Sequence, residues 1–490
     1  DLFPAGAGKQ VSFTASGNVT SSGKPVVLNS DGTVSEVGES SGNEGIGTPV
    51  VFDTDSVGSM SSVYDSNANK VVVVYGGNGG VGYAIVGTIS GASVSFGTRV
   101  AFESDNSESM AVTFDSNSNK IVIAFRYAQF PSGTYGYGYG IVGTVSGTSI
   151  SFGTKVAFNS ANTTTIGPDG IDFDSTANKV VIAYRDDGNS DYGTAIVGTV
   201  SGTSISFGSE TTIETGQTSY HSVTYDSNTD RTVIAYRHVA DSGYGKAKVG
   251  EISGTSITLG ASTTFEAAST SFIVSAFDSS QNKIVIAYSD AGNSTYGTGI
   301  VGTVTGGGTN TIAFGTAEVF NSASTGPIAP AAFDTNLNKT IVTYCNSVSP
   351  FYGYAVRGTV SGTGITFSTP FLIASTQVSG TMSAAFDAST NNLLFSYADV
   401  DSSSHATGVV YTDSATNLTS TNFLGISDAA ISSAATGNIT MKGGIAATGL
   451  SSLTPASDYY VTNAGAIATS GDVKIGKALS ATAINLEYTS

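Results

Sequence analysis

A twelve-residue pattern of polar and apolar positions recurs along this chain. A strand-like segment ends at Asp, a polar turn follows, and an almost wholly apolar run begins, as in FDSNSNKIVIAF from Phe114. The key aspartates of the seven copies are Asp65, Asp115, Asp174, Asp226, Asp278, Asp334 and Asp387. Successive copies are 50 to 59 residues apart, which indicates an array of repeats, each forming one supersecondary unit.

Each repeat has the pattern of four short strands. After the Asp-terminated strand and the apolar strand come a variable loop and segments such as YGIVGTVSG and TSISFGTKVAF, joined by a Ser-Gly hairpin turn. The apolar strand lacks in/out alternation, so we expect both of its faces to be buried. We therefore predict an all-β protein in which seven four-stranded units form a seven-bladed β-propeller; a β-solenoid is the alternative.

The two ends of the array complete each other. GTPVVF at 47–52 is an orphan outer strand before the first repeat, and TNFLG at 421–425 ends the seventh repeat without the usual continuation. Joining them gives one complete unit and removes exposed sheet edges. We predict that this pairing closes the propeller.

Residues 1–44 and 426–490 flank a propeller predicted at 45–425. Both flanks contain short strand patterns with Gly-rich turns, such as GKPVVLNSDGTVSEV in the first and SDYYVTNAGAIAT in the second. Two strands alone are marginally stable, and a closed propeller brings its ends together. We therefore predict that the flanks pair into one small β-sandwich or barrel module, into which the propeller is inserted.

The flanks resemble a small β module of bacteriophage virion proteins. The resemblance rests on SGKPVVLNSDGTVSEV, on FLGISDAAISSAATGNITMKGGIA and on SLTPASDYYVTNAGAIATSGDVKIGKALSAT, with Ala456 where that family often has Gly. The repeats also resemble those of marine phage tail proteins. The resemblance implies a tail-fibre or surface-decoration protein on the virion, with other virion proteins as partners, and it brings no catalytic motif.

Composition narrows the partners further. Acidic residues outnumber basic ones 37 to 19, and the net charge of −18 argues against nucleic acid or an anionic membrane. No apolar run is long enough for membrane insertion. Cys345 is the only cysteine, so no intrachain disulfide is expected. The chain begins at Asp1 without a Met or a signal-like segment, so we expect a mature or trimmed chain.

The turn after the key Asp has two interpretations. Asp115, Asn117 and Asn119 alternate as calcium ligands do in the opening of an EF-hand loop. However, Lys120 stands where such a loop needs Gly, and few carboxylates are available. We interpret the motif as a turn in which Asp caps backbone N–H groups and Asn takes left-handed geometry. Calcium is the alternative, and no other cofactor is expected.

Arginine directly follows the apolar strand in the second, third and fourth repeats. Adjacent repeats would place these side chains on one sector of one propeller face, where they could bind a carboxylated, sulfated or phosphorylated glycan. The candidate ligand-binding residues are Arg126, Arg185, Arg237, Asp186, Asp187 and His238. Local pairing of the arginines with loop acids such as Asp186, Asp187 and Asp241 is the alternative.

The loop after the apolar strand of the second repeat, RYAQFPSGTYGYGYG, is rich in aromatic residues. Exposed tyrosines suit recognition surfaces. Because Tyr-Gly opens the next strand in most repeats, we take Tyr127 and Phe130 as the functional pair.

Catalytic motifs are not apparent in the sequence. The three histidines fall at different repeat positions, and neither a nucleophile elbow nor a phosphate loop is present. We predict a non-enzymatic phage virion surface protein whose propeller presents loops for adhesion to a host-surface polysaccharide or protein. The alternatives are a virion decoration protein that makes protein–protein contacts and a secreted bacterial lectin or adhesin. A homo-oligomer is a further expectation that does not depend on which of these roles applies.

Overall fold

The computed structural model describes residues 9–29, 31–37, 45–104, 106–129, 135–308, 310–412, 418, 422–462, 465–469, 471 and 473–487. These residues form strands and four single-turn 3-10 helices, at Asn78–Gly80, Asp187–Asn189, Ala291–Asn293 and Val400–Ser402, without an α-helix. No helix in this part of the chain could cross a membrane. Two compact units are present: a repeat unit, Ile46–Thr412, and a terminal unit of Asp1–Gly45 with Asp413–Ser490. The predicted all-β class is confirmed.

Each repeat forms an antiparallel sheet in which the first strand ends at the key Asp, the second leads away from the turn, the third returns, and a broken outer strand pairs with the third. The first strands are Met60–Asp65, Ser107–Asp115, Thr163–Asp174, the second halves of Thr211–Asp226 and Thr263–Asp278, the end of Glu318–Ile328 with Ala332–Asp334, and Val378–Asp387. The second strands are Lys70–Gly76, Lys120–Gln129, Lys179–Asp186, Arg231–His238, Lys283–Asp290, Lys339–Asn346 and Asn392–Asp399. The third strands are Gly82–Ser90, Tyr135–Ser146, Tyr192–Ser201, Tyr244–Ser253, Tyr296–Thr305, Gly353–Ser361 and His405–Thr412.

The outer strands begin at Ser93–Phe96, Ser149–Phe152, Ser204–Phe207, Ser256–Leu259, Thr311–Phe314 and Gly364–Phe367, and continue in Val100–Glu103, Val156–Asn159, the first parts of Thr211–Asp226, Thr263–Asp278 and Glu318–Ile328, and Phe371–Ala374. Several of them run directly into the next repeat. Thr211–Asp226, for example, pairs first with the third strand of the third repeat and then with the second strand of the fourth. Backbone hydrogen bonds therefore connect consecutive repeats.

The second strands form the centre of each sheet, and both of their faces are buried. All five residues from Ile121 to Phe125 have no exposed surface, as the missing alternation predicts. In most repeats a buried Tyr lies near the end of the second strand, and its hydroxyl donates a hydrogen bond to a carboxylate. Tyr75 donates to Asp53 at 2.8 Å and Tyr236 to Glu214 at 2.9 Å, and each carboxylate comes from the outer strand of the preceding repeat. These hydrogen bonds tie neighbouring repeats together.

The N-terminal segment completes the seventh repeat. Val50–Ser56 pairs with the third strand of that repeat, with Val50 opposite Gly408 and Ser56 opposite His405. Closure by this segment is therefore confirmed. The assignment of TNFLG to the seventh repeat is wrong: Phe423–Ser427 pairs with Pro25–Leu28 and Thr436–Met441 in the terminal unit, because its apolar side chains complete that core.

The terminal unit contains two five-stranded sheets. The first has the order Gln10–Thr14, Thr436–Met441, Phe423–Ser427, Pro25–Leu28 and Val34–Glu36; the second has the order Ile445–Ala446, Ala483–Leu486, Val473–Ser480, Asp458–Val461 and Ile467–Ala468. Val27 of the first sheet packs with Tyr459 and Ile475 of the second in one core. The predicted pairing of the two flanks is thus confirmed, while the short strand Gly45–Ile46 lies at the boundary of the units.

Candidate functional site

The repeat unit has two faces. The turn face carries the segments between first and second strands: 66–69, 116–119, 175–178, 227–230, 279–282, 335–338 and 388–391. The loop face carries the segments between second and third strands, such as 187–191 and 239–243, and the starts of the first strands. The first strands of all seven repeats line two cavities, one at each face.

The turn face is built from one motif used seven times. In every repeat the key Asp Oδ1 accepts hydrogen bonds from the N–H groups two and three residues later. For Asp115 the donors are Asn117 at 3.0 Å and Ser118 at 2.8 Å. The backbone then turns left-handed, with φ 54° at Asn119. The turn interpretation is confirmed; among the described residues, no three His, Cys, Asp or Glu side chains are grouped as a metal site requires.

The turn-face cavity, of about 390 Å³, contains two carboxylates, and both come from the third repeat. The register of its first strand shifts between Ile166 and Ile171, which brings Asp169 into the cavity wall. Asp169 Oδ2 accepts from Ser222 Oγ at 2.5 Å and from the Ser275 N–H at 3.0 Å. This carboxylate therefore joins the third repeat to the fourth and the fifth.

Burial raises the pKa of Asp169 to about 7, although hydrogen bonds from Ser222 and Ser275 oppose the shift. Burial also raises the pKa of Asp172 to about 6, against hydrogen bonds from the backbone N–H groups of Tyr225 and Phe173. Carboxyl groups that titrate near neutrality in one cavity have the protonation behaviour of acid–base catalysts. Here they also hold the wall of the cavity together, because protein donors occupy both oxygens of Asp172 and Oδ2 of Asp169.

The loop-face cavity, of about 350 Å³, is mainly apolar. Met60, Met110 and Met382, three of the four methionines in the chain, lie in its wall. Tyr220 and Phe272 complete it, with ring centroids 5.3 Å apart. Methionine adapts to the shape of a bound group, and aromatic rings offer flat apolar surface. A volume of this size lies within the range of about 300–1,000 Å³ typical of small-molecule sites.

Tyr220 and Phe272 hold a backbone conformation that bulky side chains rarely adopt. Their φ angles are 52° and 54°, and each residue lies six positions before the key Asp of its repeat. A left-handed aromatic residue costs on the order of 1–3 kcal/mol, and such strain clusters at binding sites. The first-strand register shifts at both positions, which turns the two rings towards the cavity.

The three predicted arginines take equivalent places on the loop face, beside this cavity. In the sheet register Arg126 lies opposite Glu108 and Arg237 opposite Ser219, the residue before Tyr220. Arg126 Nη1 lies 2.9 Å from Glu108 Oε2, and Arg185 Nε lies 2.7 Å from Asp187 Oδ1. In the second and third repeats the arginine therefore pairs with a nearby acidic residue, as the alternative interpretation predicts.

Arg237 differs from the other two arginines. Within the described part of the chain its side chain has neither an ion pair nor a hydrogen bond, and its Nε is buried. Asp241 does not pair with it; Asp241 Oδ2 lies 2.5 Å from Lys246 Nζ instead. The adjacent His238 contacts the same Lys246 through Nδ1 at 3.3 Å. The loop face thus presents one unmatched guanidinium among the three.

The two predicted aspartates of the third repeat have different roles. Asp186 is buried and accepts from the Gly188 N–H at 3.0 Å and from Asn159 Nδ2 at 3.1 Å, so it stabilises the loop. Asp187 is partly exposed. Burial acts to raise its pKa, but the hydrogen bond from Arg185 lowers it below its usual value.

Tyr127 packs within the second repeat. Its ring lies edge-on to Tyr139 at 6.1 Å, and Lys155 Nζ sits 4.5 Å from its centroid while pairing with Glu103. These contacts give Tyr127 a structural role. Phe130 lies outside the described residues.

Sequence reasoning missed the four residues that shape the cavities. Asp169 and Asp172 were signalled only by IGPDGIDFD, which departs from the other first strands. Tyr220 and Phe272 were signalled by two bulky aromatics at one repeat position. Neither signal shows where a side chain points, because that depends on register shifts in the first strand.

The chain matches no protein-family model and no curated protein. Among solved structures, the BP39L lectin of Burkholderia pseudomallei is 13% identical, with a TM-score of 0.53 over 75% of this chain and 98% of the lectin. The fold is a β-propeller. A protein of unknown function from Dyadobacter fermentans is 12% identical, with a TM-score of 0.46 over 76% of this chain and 100% of its own. The intramolecular trans-sialidase of Ruminococcus gnavus is 7% identical, with a TM-score of 0.44 over 74% of this chain and 97% of the trans-sialidase.

Proposed function

We propose that the protein is a non-enzymatic, carbohydrate-binding propeller that holds a sugar residue at its loop face. The observation that carries the proposal is the loop-face cavity, in which Tyr220 and Phe272 present two rings from strained backbone. Aromatic rings pack against the C–H faces of sugars, and polar groups at a rim fix the orientation. The likeness of the fold to a lectin supports carbohydrate as the ligand class.

A glycan array with a matched set of variants tests this proposal. The double variant Tyr220→Ala/Phe272→Ala should bind at least about tenfold more weakly than the parent, as expected for the loss of aromatic anchors. Tyr64→Ala is the control, since Tyr64 lines the turn-face cavity and should leave binding unchanged. Equal loss in both variants, or no binding by the parent, would refute the loop-face site.

The non-enzymatic part of the proposal has its own test. Bound oligosaccharide should be recovered chemically unchanged after prolonged incubation. Product formation that disappears in Asp169→Asn would instead assign the turn-face carboxylates to catalysis.

We further propose that the terminal unit attaches the chain to a phage particle and that the propeller meets a host-surface polysaccharide or protein outside the cell. The resemblance of the terminal segments to a virion module supports this role. Antibodies against the propeller should label purified particles and block adsorption to host cells. Labelling without blocking would favour a decoration protein, and unlabelled particles a secreted lectin or adhesin.

A further inference from the structure

The three loop-face arginines each point towards the following repeat. Alternate residues of a strand share a face, so Arg237 projects on the same side as Ala235. Ala235 packs with Tyr288 of the fifth repeat. By the same rule Arg126 and Arg185 lie over the clefts to the third and fourth repeats. The arginines therefore occupy three equivalent inter-repeat clefts.

Two of these clefts contain a carboxylate supplied by the chain itself. In the second repeat the acid is Glu108, directly across the sheet from its arginine. In the third repeat it is Asp187, two residues after its arginine. The fourth repeat has Ser219 across the sheet from Arg237 and Val239 two residues after it. Neither position therefore provides a carboxylate for Arg237.

The cleft between the fourth and fifth repeats has room for the guanidinium of Arg237, which has no acceptor within the described residues. A Cβ on Gly243 would lie 2.9 Å from Arg237 Nε and 2.7 Å from Ser269 Oγ, so this glycine leaves room for both donors. The buried Nε of Arg237 has no acceptor, and neither has that of Arg126, but Arg126 still pairs with Glu108 through Nη1. In the third repeat the corresponding Nε donates to Asp187 Oδ1 at 2.7 Å.

We propose that this cleft binds the carboxylate of an acidic sugar residue, in the place that Glu108 and Asp187 fill in the preceding repeats. The inference rests on the proposed carbohydrate-binding function and specifies its ligand as a uronic-acid type of glycan. Arginine binds a carboxylate through two parallel N–H donors, and Ser269 lies within the same cleft. The internal pairs show that the cleft geometry suits this chemical group.

Ligand-observed NMR titration with glucuronate, its methyl ester and glucose 6-sulfate tests the inference. Glucuronate should bind at least about tenfold more tightly than the ester, because the ester loses a charge-assisted hydrogen-bond pair. Tighter binding of the sulfate, or equal binding of the ester, would overturn the carboxylate assignment.

Three variants locate the site. Val239→Asp places a carboxylate two residues after Arg237, as Asp187 is placed after Arg185, and should abolish glucuronate binding without lowering the melting temperature. Asp187→Ala/Asp191→Ala removes both carboxylates near Arg185 Nε and should create a second glucuronate site there. Arg126→Ala is the control, since Glu108 already occupies that arginine, and it should leave binding unchanged.

The outcomes separate this inference from the proposed function. If the array detects neutral glycans and Val239→Asp has no effect, the Arg237 cleft is refuted and the aromatic site stands. If glucuronate binds as expected but Tyr220→Ala/Phe272→Ala leaves array binding intact, the aromatic site is refuted and the cleft stands.

Discussion

The turn face and the loop face are made by the same seven repeats, yet they differ in how far the repeats agree. On the turn face every repeat uses an Asp with two backbone donors and a left-handed fourth residue. On the loop face the repeats diverge, with strained aromatics in two of them and arginines in three. The uniform end therefore holds the fold, and the varied end is where we propose that recognition takes place.

The largest effect should come from breaking the turn face. Asp115→Ala leaves the N–H groups of Asn117 and Ser118 without an acceptor, and we expect a loss of about 3–4 kcal/mol in unfolding free energy. Urea denaturation measures it. Asp115→Asn keeps the acceptor oxygen and should recover most of the loss, and EDTA should not change the melting temperature of the parent. Equal losses for Ala and Asn would contradict a hydrogen-bonded turn.

The turn-face cavity should make stability depend on pH. The folded pKa of Asp169, about 7, exceeds the unfolded value of about 3.9, so its stabilising contribution is complete below about pH 4 and is lost as the pH rises through 7. The difference in unfolding free energy between Asp169→Asn and the parent should therefore favour the variant more at pH 8 than at pH 4. We expect this difference to change by on the order of 2 kcal/mol between the two pH values.

Urea denaturation at both pH values gives this difference. Burial lowers the pKa of His221 to about 3, so its contribution to stability is lost as the pH falls. This contribution is the same in the variant and the parent, so it cancels from the difference between them. A gain independent of pH would show that Asp169 does not titrate in this range.

Because Tyr220 and Phe272 have strained backbone at the loop face, glycine should be more stable than alanine at both positions. Tyr220→Gly and Phe272→Gly should each be about 1 kcal/mol more stable than the corresponding Ala variants, because glycine adopts positive φ without a steric penalty. Thermal unfolding compares each pair. At Val274, which does not have this conformation, Gly should be less stable than Ala.

The smallest effect should come from the paired arginines. Glu108→Gln removes an exposed ion pair with Arg126 and should change stability by only about 0.5 kcal/mol. Urea denaturation at low and high salt measures it. A loss of several kcal/mol would give this pair a structural role like that of the turn-face aspartates.

The sequence alone determined the repeat scaffold. The recurring Asp and Asn predicted seven identical turns, because their side chains satisfy local backbone groups wherever the chain places them. The apolar second strands predicted burial on both faces, and GTPVVF predicted closure by the N-terminal segment. These features depend on contacts near in sequence or on strict repetition, which a single chain displays directly.

Only the tertiary structure decided which candidate side chains were available. Asp186 and Asp187 are neighbours in sequence, but one caps a buried loop and the other binds Arg185. Arg237 became distinct only when the acids near Arg126 and Arg185 were located. The two cavities could not be read from the sequence, because register shifts in the first strands turn Asp169, Tyr220 and Phe272 towards them. Such shifts depend on packing between repeats, so only the assembled fold determines them.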